Sequence, residues 1–182
     1  MFFNQPVRLL FVGRPAAEKG LPDLIQSLCS LLRYQWTLSV VGDSPEVDSS
    51  LDRALHHLGP ARVHFYGRKP NSAIPDIMRA HDVLIVPSHY ETFGNVALEG
   101  MACGLPVVAA ATGGLRQLVT PGVNGFLFCP RDDENLAAVL RIALTHHVLL
   151  ESMGKMGREL ARPYSWDIVV AATQVLLLKL LS

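Results

Sequence analysis

The feature that most constrains the fold is a repeated alternation between short apolar runs and longer segments of helical length. Apolar runs rich in β-branched residues and closed by Gly, Pro or polar residues are typical of buried strands. The predicted strands cover residues 7–12, 36–41, 62–66, 82–86, 106–109 and 126–128. The predicted helices lie near 20–33, 48–58, 74–80, 93–103, 115–119, 134–145, 148–161 and 166–180. Repeated strand–helix units predict an α/β fold, a doubly wound parallel sheet with helices on both faces.

Length and charge limit the domain count and the kind of partner. The chain has 182 residues, which is enough for one domain with a sizeable core, so we expect residues 1–182 to form a single domain. Sixteen basic and sixteen acidic residues leave no net charge. A nucleic-acid-binding surface or a polybasic membrane face is therefore not indicated, and we expect a small-molecule partner.

The location of the protein is predicted from its apolar segments and its cysteines. No stretch approaches the roughly 20 apolar residues of a membrane span, and the first residues do not resemble a signal peptide. Cys29, Cys103 and Cys129 lie within apolar segments and show no metal-ligand spacing, which favours buried free thiols in a reducing compartment. We expect a cytoplasmic protein, or one at the cytosolic face of a membrane, that binds no metal.

Two carboxylates flank a predicted strand-to-helix junction. Glu91 lies in the loop after the strand at 82–86, and Glu99 lies eight positions later, about two turns into the helix predicted at 93–103. That helix is apolar on nearly every side, so we expect it to be buried and Glu99 to require a hydrogen-bond partner. Structural ion pairs would explain either residue. Ligands of open α/β sheets bind beyond the carboxyl ends of strands, which favours a shared site.

The loop after the first predicted strand has the composition of an anion site. It begins at Gly13-Arg14 and ends at Lys19-Gly20, where a helix is predicted to start. Arg14 offers a bidentate contact to phosphate, Lys19 adds a point charge, and the helix start adds amide donors. Arg and Lys beside a turn are also commonly just solvated. A second glycine turn, Thr112-Gly113-Gly114, follows the strand at 106–109, and its amides can approach a ligand closely.

Two common nucleotide motifs are absent from the sequence. It contains neither Gly-x-Gly-x-x-Gly nor Gly-x-x-x-x-Gly-Lys-Ser/Thr. The dinucleotide fingerprint and the Walker loop are therefore both excluded as the origin of the anion-site pattern.

As an ordered set, these motifs resemble the retaining glycosyltransferases of family 4, which have the two-domain GT-B architecture. The resemblance covers nearly the whole chain and is to the C-terminal, nucleotide-sugar-binding domain. Its most specific element is Glu91 to Glu99 in this context. The other elements are Gly13-Arg14 with Lys19-Gly20, Gly42-Asp43 before Pro45, Phe65-Tyr66-Gly67, Ala80-His81-Asp82 before Pro87-Ser88, Gly104-Leu105-Pro106-Val107-Val108, Gly113-Gly114, and Gly122-Val123-Asn124-Gly125-Phe126.

The resemblance implies a role for each site residue. Arg14 and Lys19, beside Gly13, would hold the diphosphate of a nucleoside-diphosphate sugar and stabilise the leaving group, so that neither a metal nor another cofactor is required. Glu91 would contact the donor sugar near the reacting centre, and Glu99 would accept hydrogen bonds from the ribose. The base would lie near Arg68. Backbone amides at the helix start would face the phosphate and the sugar, those of Phe93, Gly94, Asn95 and Val96.

The resemblance also implies that part of an enzyme is missing. Such enzymes have an N-terminal domain that binds the acceptor, and it is absent here. In the family the final helix crosses onto that domain; the apolar segment 166–181 fits this, or it packs on its own domain. An exposed helix would favour self-association. The chain is thus predicted to be the donor-binding part of a hexosyltransferase, inactive in isolation. The alternative is a non-catalytic nucleotide-sugar-binding module. The base, whether uridine, guanosine or adenosine, and the sugar stay open.

Overall fold

The fold is a parallel sheet of six strands. The computed structural model describes residues 5–14, 16–43 and 48–181, and within them the sheet has the order β3-β2-β1-β4-β5-β6. Every strand pair is parallel. The strands are β1 (Val7–Val12), β2 (Trp36–Val41), β3 (Val63–Phe65), β4 (Val83–Val86), β5 (Val107–Ala110) and β6 (Gly125–Phe128). The predicted doubly wound sheet is confirmed, and its order reverses between β1 and β4, where such folds bind ligands.

Apolar side chains alternate between the two faces of the sheet and form one hydrophobic cluster on each. Leu9 of β1 and Val83 of β4 belong to one cluster, whereas Leu10 and Leu84 belong to the other. All four are fully buried. Strands covered by helices on both faces have apolar residues at consecutive positions, which is why they appear in the sequence as mostly apolar runs.

Helices cover both faces and connect the strands. They are α1 (Leu21–Cys29), α2 (Ser49–Leu58), α3 (Ile74–Arg79), α4 (Asn95–Ala102), α5 (Leu115–Leu118), α6 (Asp133–Thr145), α7 (His147–Ala161) and α8 (Trp166–Leu181). Short 3₁₀-helices at Ala17–Lys19, Asn71–Ala73 and Arg162–Tyr164 precede α1, α3 and α8. Pro45, which is part of the resemblance, lies outside the described residues.

Helix α1 ends at Cys29, four residues before the predicted end at residue 33. The carbonyls beyond it are bonded by side chains from elsewhere in the chain. The Trp36 indole donates to the carbonyl of Leu31 at 3.0 Å, and the Arg62 guanidinium donates to those of Leu32 and Tyr34, each at 2.9 Å. These side-chain donors replace the helical hydrogen bonds, so the segment turns toward β2.

Helix α4 differs from its prediction in length and in burial. It begins at Asn95 rather than Phe93, and only its sheet-facing side is buried, through Ala97, Gly100 and Met101. Glu99 is exposed on the opposite side. The prediction of a fully buried helix was wrong, because a short apolar helix can cover a sheet with one side and line a cleft with the other.

The cysteine prediction was also partly wrong. All three thiols are free, but Cys129 is exposed and Cys29 and Cys103 are only half-buried. Cys129 lies directly after β6, where the chain leaves the sheet, so no helix covers it. Burial raises the pKa of the Cys29 thiol.

Candidate functional site: the carboxyl rim of the sheet

Three loops meet at the carboxyl ends of β1, β4 and β5. The backbone N–H of His89 donates to the Glu18 carbonyl at 2.8 Å, which joins the loop after β1 to the loop after β4. The N–H of Gly114 donates to the Glu91 carbonyl at 3.2 Å, which joins the loop after β5 to the same place. A Cβ atom added at Gly113 would lie 1.8 Å from the Glu91 carbonyl oxygen. Glycine is therefore required at position 113 for the backbones to approach so closely.

Lys19 and Glu91 form an ion pair at the centre of this rim. The Lys19 Nζ atom lies 2.8 Å from Glu91 Oε2, and the two side chains are 28% and 20% exposed. Lys19 ends the 3₁₀-helix Ala17–Lys19, and Gly20 follows in a left-handed conformation that starts α1. The sequence placed both residues on one rim, and the structure brings them into contact. A cation and a carboxylate thus share one position, suited to a ligand that carries both anionic and hydroxyl groups.

Glu99 lies on the outer side of α4 and faces a cleft of about 650 Å³. No described residue donates a hydrogen bond to its carboxylate or forms an ion pair with it. Partial desolvation by the cleft walls raises the pKa of Glu99. The same cleft is also lined by Phe93, Asn95, Leu98, Arg158 and Tyr164. Within the described chain the carboxylate is therefore left to accept hydrogen bonds from water or from a bound hydroxyl group.

Aromatic side chains form part of the wall of this cleft. Phe93 and Tyr164 pack edge to face, with ring centroids 5.9 Å apart and an interplanar angle of 62°. This contact connects the loop before α4 to the 3₁₀-helix that precedes α8. Sequence reasoning predicted only a backbone contact for Phe93 and missed Arg158 and Tyr164 altogether, because no local spacing relates α7 and the segment after it to α4.

Arg14 and Arg68 are exposed, and each lies beside a carboxylate other than Glu91 or Glu99. The Arg14 guanidinium is 71% exposed and lies 3.8 Å from Glu18. Arg68 lies 3.4 Å from Asp43 in the loops after β3 and β2. Neither arginine forms a hydrogen bond or ion pair with Glu91 or Glu99 in the described chain. Both lie on the predicted rim, but their contacts with a ligand stay a prediction.

Helix α4 starts two residues later than predicted. Gly94 is the N-cap of α4, with φ of 96°, so the free first-turn amides begin at Asn95 and Val96. Phe93 lies before the cap. The positive end of the helix dipole is therefore directed toward the loop that carries Glu91.

One further side-chain contact on the rim was not predicted. His89 Nε2 is hydrogen-bonded to Asp23 Oδ2 in the first turn of α1. The two residues are 66 positions apart, and neither lies in a motif with recognisable spacing. Only the three-dimensional arrangement shows that they meet.

Among the described residues, no group of three or more His, Cys, Asp or Glu side chains is arranged to hold a metal ion. Within the same part of the chain, no single helix is long and apolar enough to cross a membrane. One pair, Asp133–Thr145 with His147–Lys179, meets the criteria of length and composition together, with a bend of 100° between its parts.

Comparison with known proteins identifies the family. The family model described as "Glycosyl transferases group 1" matches residues 2–160. The chain belongs to this family. It is 34% identical to glycogen synthase of Mycobacterium tuberculosis over 171 residues, which are 92% of this chain and 41% of that protein. It is 39% identical to D-inositol 3-phosphate glycosyltransferase of Geodermatophilus obscurus over 176 residues, 90% of this chain and 38% of that protein. This group 1 chain thus spans about two fifths of the length of these relatives.

Solved glycosyltransferase structures have the same fold. Sucrose-phosphate synthase of Thermosynechococcus elongatus aligns with a TM-score of 0.86 and 31% identity, over 98% of this chain and 46% of that chain. Anabaena HepE in complex with UDP-glucose aligns with a TM-score of 0.76 and 30% identity, over 93% of this chain and 47% of that chain. The group 1 chain therefore has a Rossmann-like fold that matches about half the length of each of these GT-B glycosyltransferase chains.

Proposed function

We propose that this group 1 chain is the donor-binding domain of a retaining glycosyltransferase that uses a nucleoside-diphosphate sugar. The observation that supports it most directly is the Lys19–Glu91 ion pair, 2.8 Å across, where the sheet order reverses. Family membership supplies the reaction class, and the HepE structures contain UDP and UDP-glucose. UDP-glucose is accordingly the first donor to test.

Lys19 and Arg14 are proposed to bind the diphosphate. Lys19 is already on the rim. Arg14 is exposed and its ion pair with Glu18, at 3.8 Å, is weak, so its side chain can turn toward a ligand at little cost. As the bond between sugar and phosphate breaks, negative charge builds up on the diphosphate, and fixed cations stabilise it. In this proposal the two side chains and the α4 amides do this work without a metal.

Glu91 and Glu99 are proposed to bind hydroxyl groups of the donor. Once Lys19 turns to the diphosphate, the Glu91 carboxylate is free to accept from the sugar. Glu99, which has no partner among the described residues, would accept from the ribose. Carboxylates accept charge-assisted hydrogen bonds, which are stronger than neutral ones, so both contacts favour a polyhydroxyl ligand. Arg68, beside Asp43 on the loops after β3 and β2, would lie next to the base.

Acceptor binding is proposed to depend on a second domain, in the part of the relatives' length that this chain does not span. Helix α8 carries exposed apolar side chains such as Trp166, Leu176 and Leu178. Burial of such a surface against another domain would be favourable, and without that domain it would promote self-association. The chain alone is therefore expected to bind donor without transferring sugar.

A calorimetric panel tests donor binding. UDP-glucose, GDP-mannose and ADP-glucose are titrated into the chain and into the variant Glu99→Gln, which keeps the shape of the side chain. At least one donor should bind, and the variant should bind it about tenfold more weakly, as expected for one lost charge-assisted hydrogen bond. Failure of all three donors, or equal affinity of the folded variant, would argue against the proposal.

Turnover separates the transferase from a non-catalytic binding module. A protein that joins this chain to an acceptor domain is incubated with the donor that binds, and sugar transfer is measured by product analysis. Transfer supports the enzyme. Donor binding without any transfer would favour the binding module.

A further inference from the structure

The Asp23–His89 pair is close to the proposed donor site but has no part in the proposed ligand contacts. The His89 side chain is 18% exposed and that of Asp23 is 26% exposed, so both are largely removed from solvent. His89 lies three residues after the end of β4, and Asp23 lies in the first turn of α1. The pair therefore joins the loop after β4 to the helix that follows the loop after β1.

This pair and the Lys19–Glu91 pair connect the same two segments. Asp23 is four residues after Lys19, and His89 is two residues before Glu91. Between them, the N–H of His89 donates to the Glu18 carbonyl at 2.8 Å. The two side-chain pairs thus link the same two segments on either side of this backbone hydrogen bond, at the start of α1. A shift of His89 would be passed to Glu91 through a single intervening residue.

Several carboxylates lie near His89. Asp23 contacts it directly, and Asp133, at the start of α6, lies near both residues. Burial raises the pKa of the Asp133 carboxyl, the charges of Asp23 and Asp132 raise it further, and His89 acts in the opposite direction. Arg14, Glu18, Lys19 and Glu91 are charged groups of the two segments that the pair joins. The hydrogen bond between His89 and Asp23 is thus formed beside these charged groups.

We propose that Asp23 and His89 are positioning residues, which hold Lys19 and Glu91 in the geometry that receives the diphosphate and the sugar of the donor. The inference rests on the proposed function and adds two residues to it. Lys19 has a long, flexible side chain, and a part-exposed ion pair restrains it only weakly. The donor must also share that ion pair. A second link that the donor leaves intact keeps the two segments in place.

The test compares two replacements of His89 that differ in reach. His89→Gln places an amide nitrogen near the position of Nε2 and keeps the hydrogen bond to Asp23, whereas His89→Asn is too short to do so. Asp23→Ala removes the bond from the other side. The matched control is His56→Asn, because His56 lies 3.8 Å from Asp52 in another His–Asp pair, on the exposed side of α2.

Each variant is titrated with UDP-glucose by calorimetry and with UMP by NMR, and its melting temperature is recorded. His89→Asn and Asp23→Ala should weaken the binding of UDP-glucose about tenfold. This is the lower end of the loss in affinity seen when a residue that orients a metal ligand is removed. UMP, which lacks the second phosphate and the sugar, should bind unchanged. His89→Gln and His56→Asn should match the unaltered chain for both ligands.

The outcomes separate this inference from the proposed function. If the unaltered chain binds UDP-glucose but His89→Asn and Asp23→Ala leave the ratio of UDP-glucose to UMP affinity unchanged, the positioning role is overturned and donor binding stands. An equal loss for both ligands with a lower melting temperature would show a general structural role and also overturn it. If none of UDP-glucose, GDP-mannose and ADP-glucose binds to the unaltered chain, the proposed function fails, and the positioning role with it.

Discussion

The replacement Gly113→Ala tests the close approach of the loop after β5 to Glu91. The new Cβ atom would lie 1.8 Å from the Glu91 carbonyl oxygen, and the backbone at residue 113 has φ of 39°. A left-handed conformation costs a residue with a side chain about 1–2 kcal/mol. Relief of the clash by movement of the backbone adds about 1–3 kcal/mol, as in overpacked sites. We expect the free energy of unfolding to fall by about 2–5 kcal/mol.

The matched control is Gly122→Ala. Its φ is 80°, but an added Cβ would have nothing within 4 Å. It should therefore show only the conformational cost of about 1–2 kcal/mol. Urea unfolding followed by circular dichroism measures both, and with a slope of about 2 kcal/mol/M the two midpoints should differ by about 1 M. Gly113→Ala should also weaken UDP-glucose binding because it displaces Glu91. Equal midpoints for the two variants would refute the close approach.

Three further predictions concern other parts of the molecule. Burial raises the pKa of Asp82, but hydrogen bonds from Arg8 outweigh it and hold that pKa below its usual range. Asp82→Asn should therefore lower the free energy of unfolding by about 1 kcal/mol above pH 4, and this loss should vanish at lower pH as Asp82 is protonated. A difference in stability that does not depend on pH would be contrary evidence. Partial burial raises the pKa of Glu99, so the proposed binding of ribose to the ionised carboxylate should make the affinity for UDP-glucose rise with pH through that pKa. Calorimetry between pH 4 and 7 should show this rise in the unaltered chain and not in Glu99→Gln. A rise that persists in Glu99→Gln would assign the pH dependence to another group. Leu178→Glu on exposed α8 should reduce self-association in sedimentation velocity, and association of the variant equal to that of the unaltered chain would place the contact elsewhere.

The sheet could be predicted from the sequence because burial on both faces leaves a simple pattern. The strands β4 and β5 are uninterrupted apolar runs, β1 and β2 are mostly apolar, and the topology of parallel sheets brings their carboxyl ends to one edge. That rule sufficed to place Lys19 and Glu91 on one rim. Their direct contact, at 2.8 Å, required the positions of the loops themselves.

The features that were missed depend on residues distant in sequence. Helix α1 ends early because Trp36 and Arg62 bond the carbonyls beyond it, and the Arg62 contacts, which span 28 and 30 residues, leave no local signal. The Asp23–His89 pair is hidden for the same reason. The burial of α4 was overestimated because its composition is apolar, whereas its environment is a sheet on one side and an open cleft on the other.

In the proposed function, the diphosphate of a sugar donor binds to this rim through Lys19. Calorimetric titration of UDP-glucose into the unaltered chain, Lys19→Met and Lys155→Met tests this contact. Lys155 is the control because it forms an exposed ion pair with Glu151, at 2.7 Å, on α7. Loss of a charged hydrogen bond should weaken binding about 10- to 100-fold in Lys19→Met, while Lys155→Met should bind like the unaltered chain. Equal affinity of Lys19→Met and the unaltered chain, or failure of the unaltered chain to bind UDP-glucose, GDP-mannose or ADP-glucose, would refute diphosphate binding through Lys19.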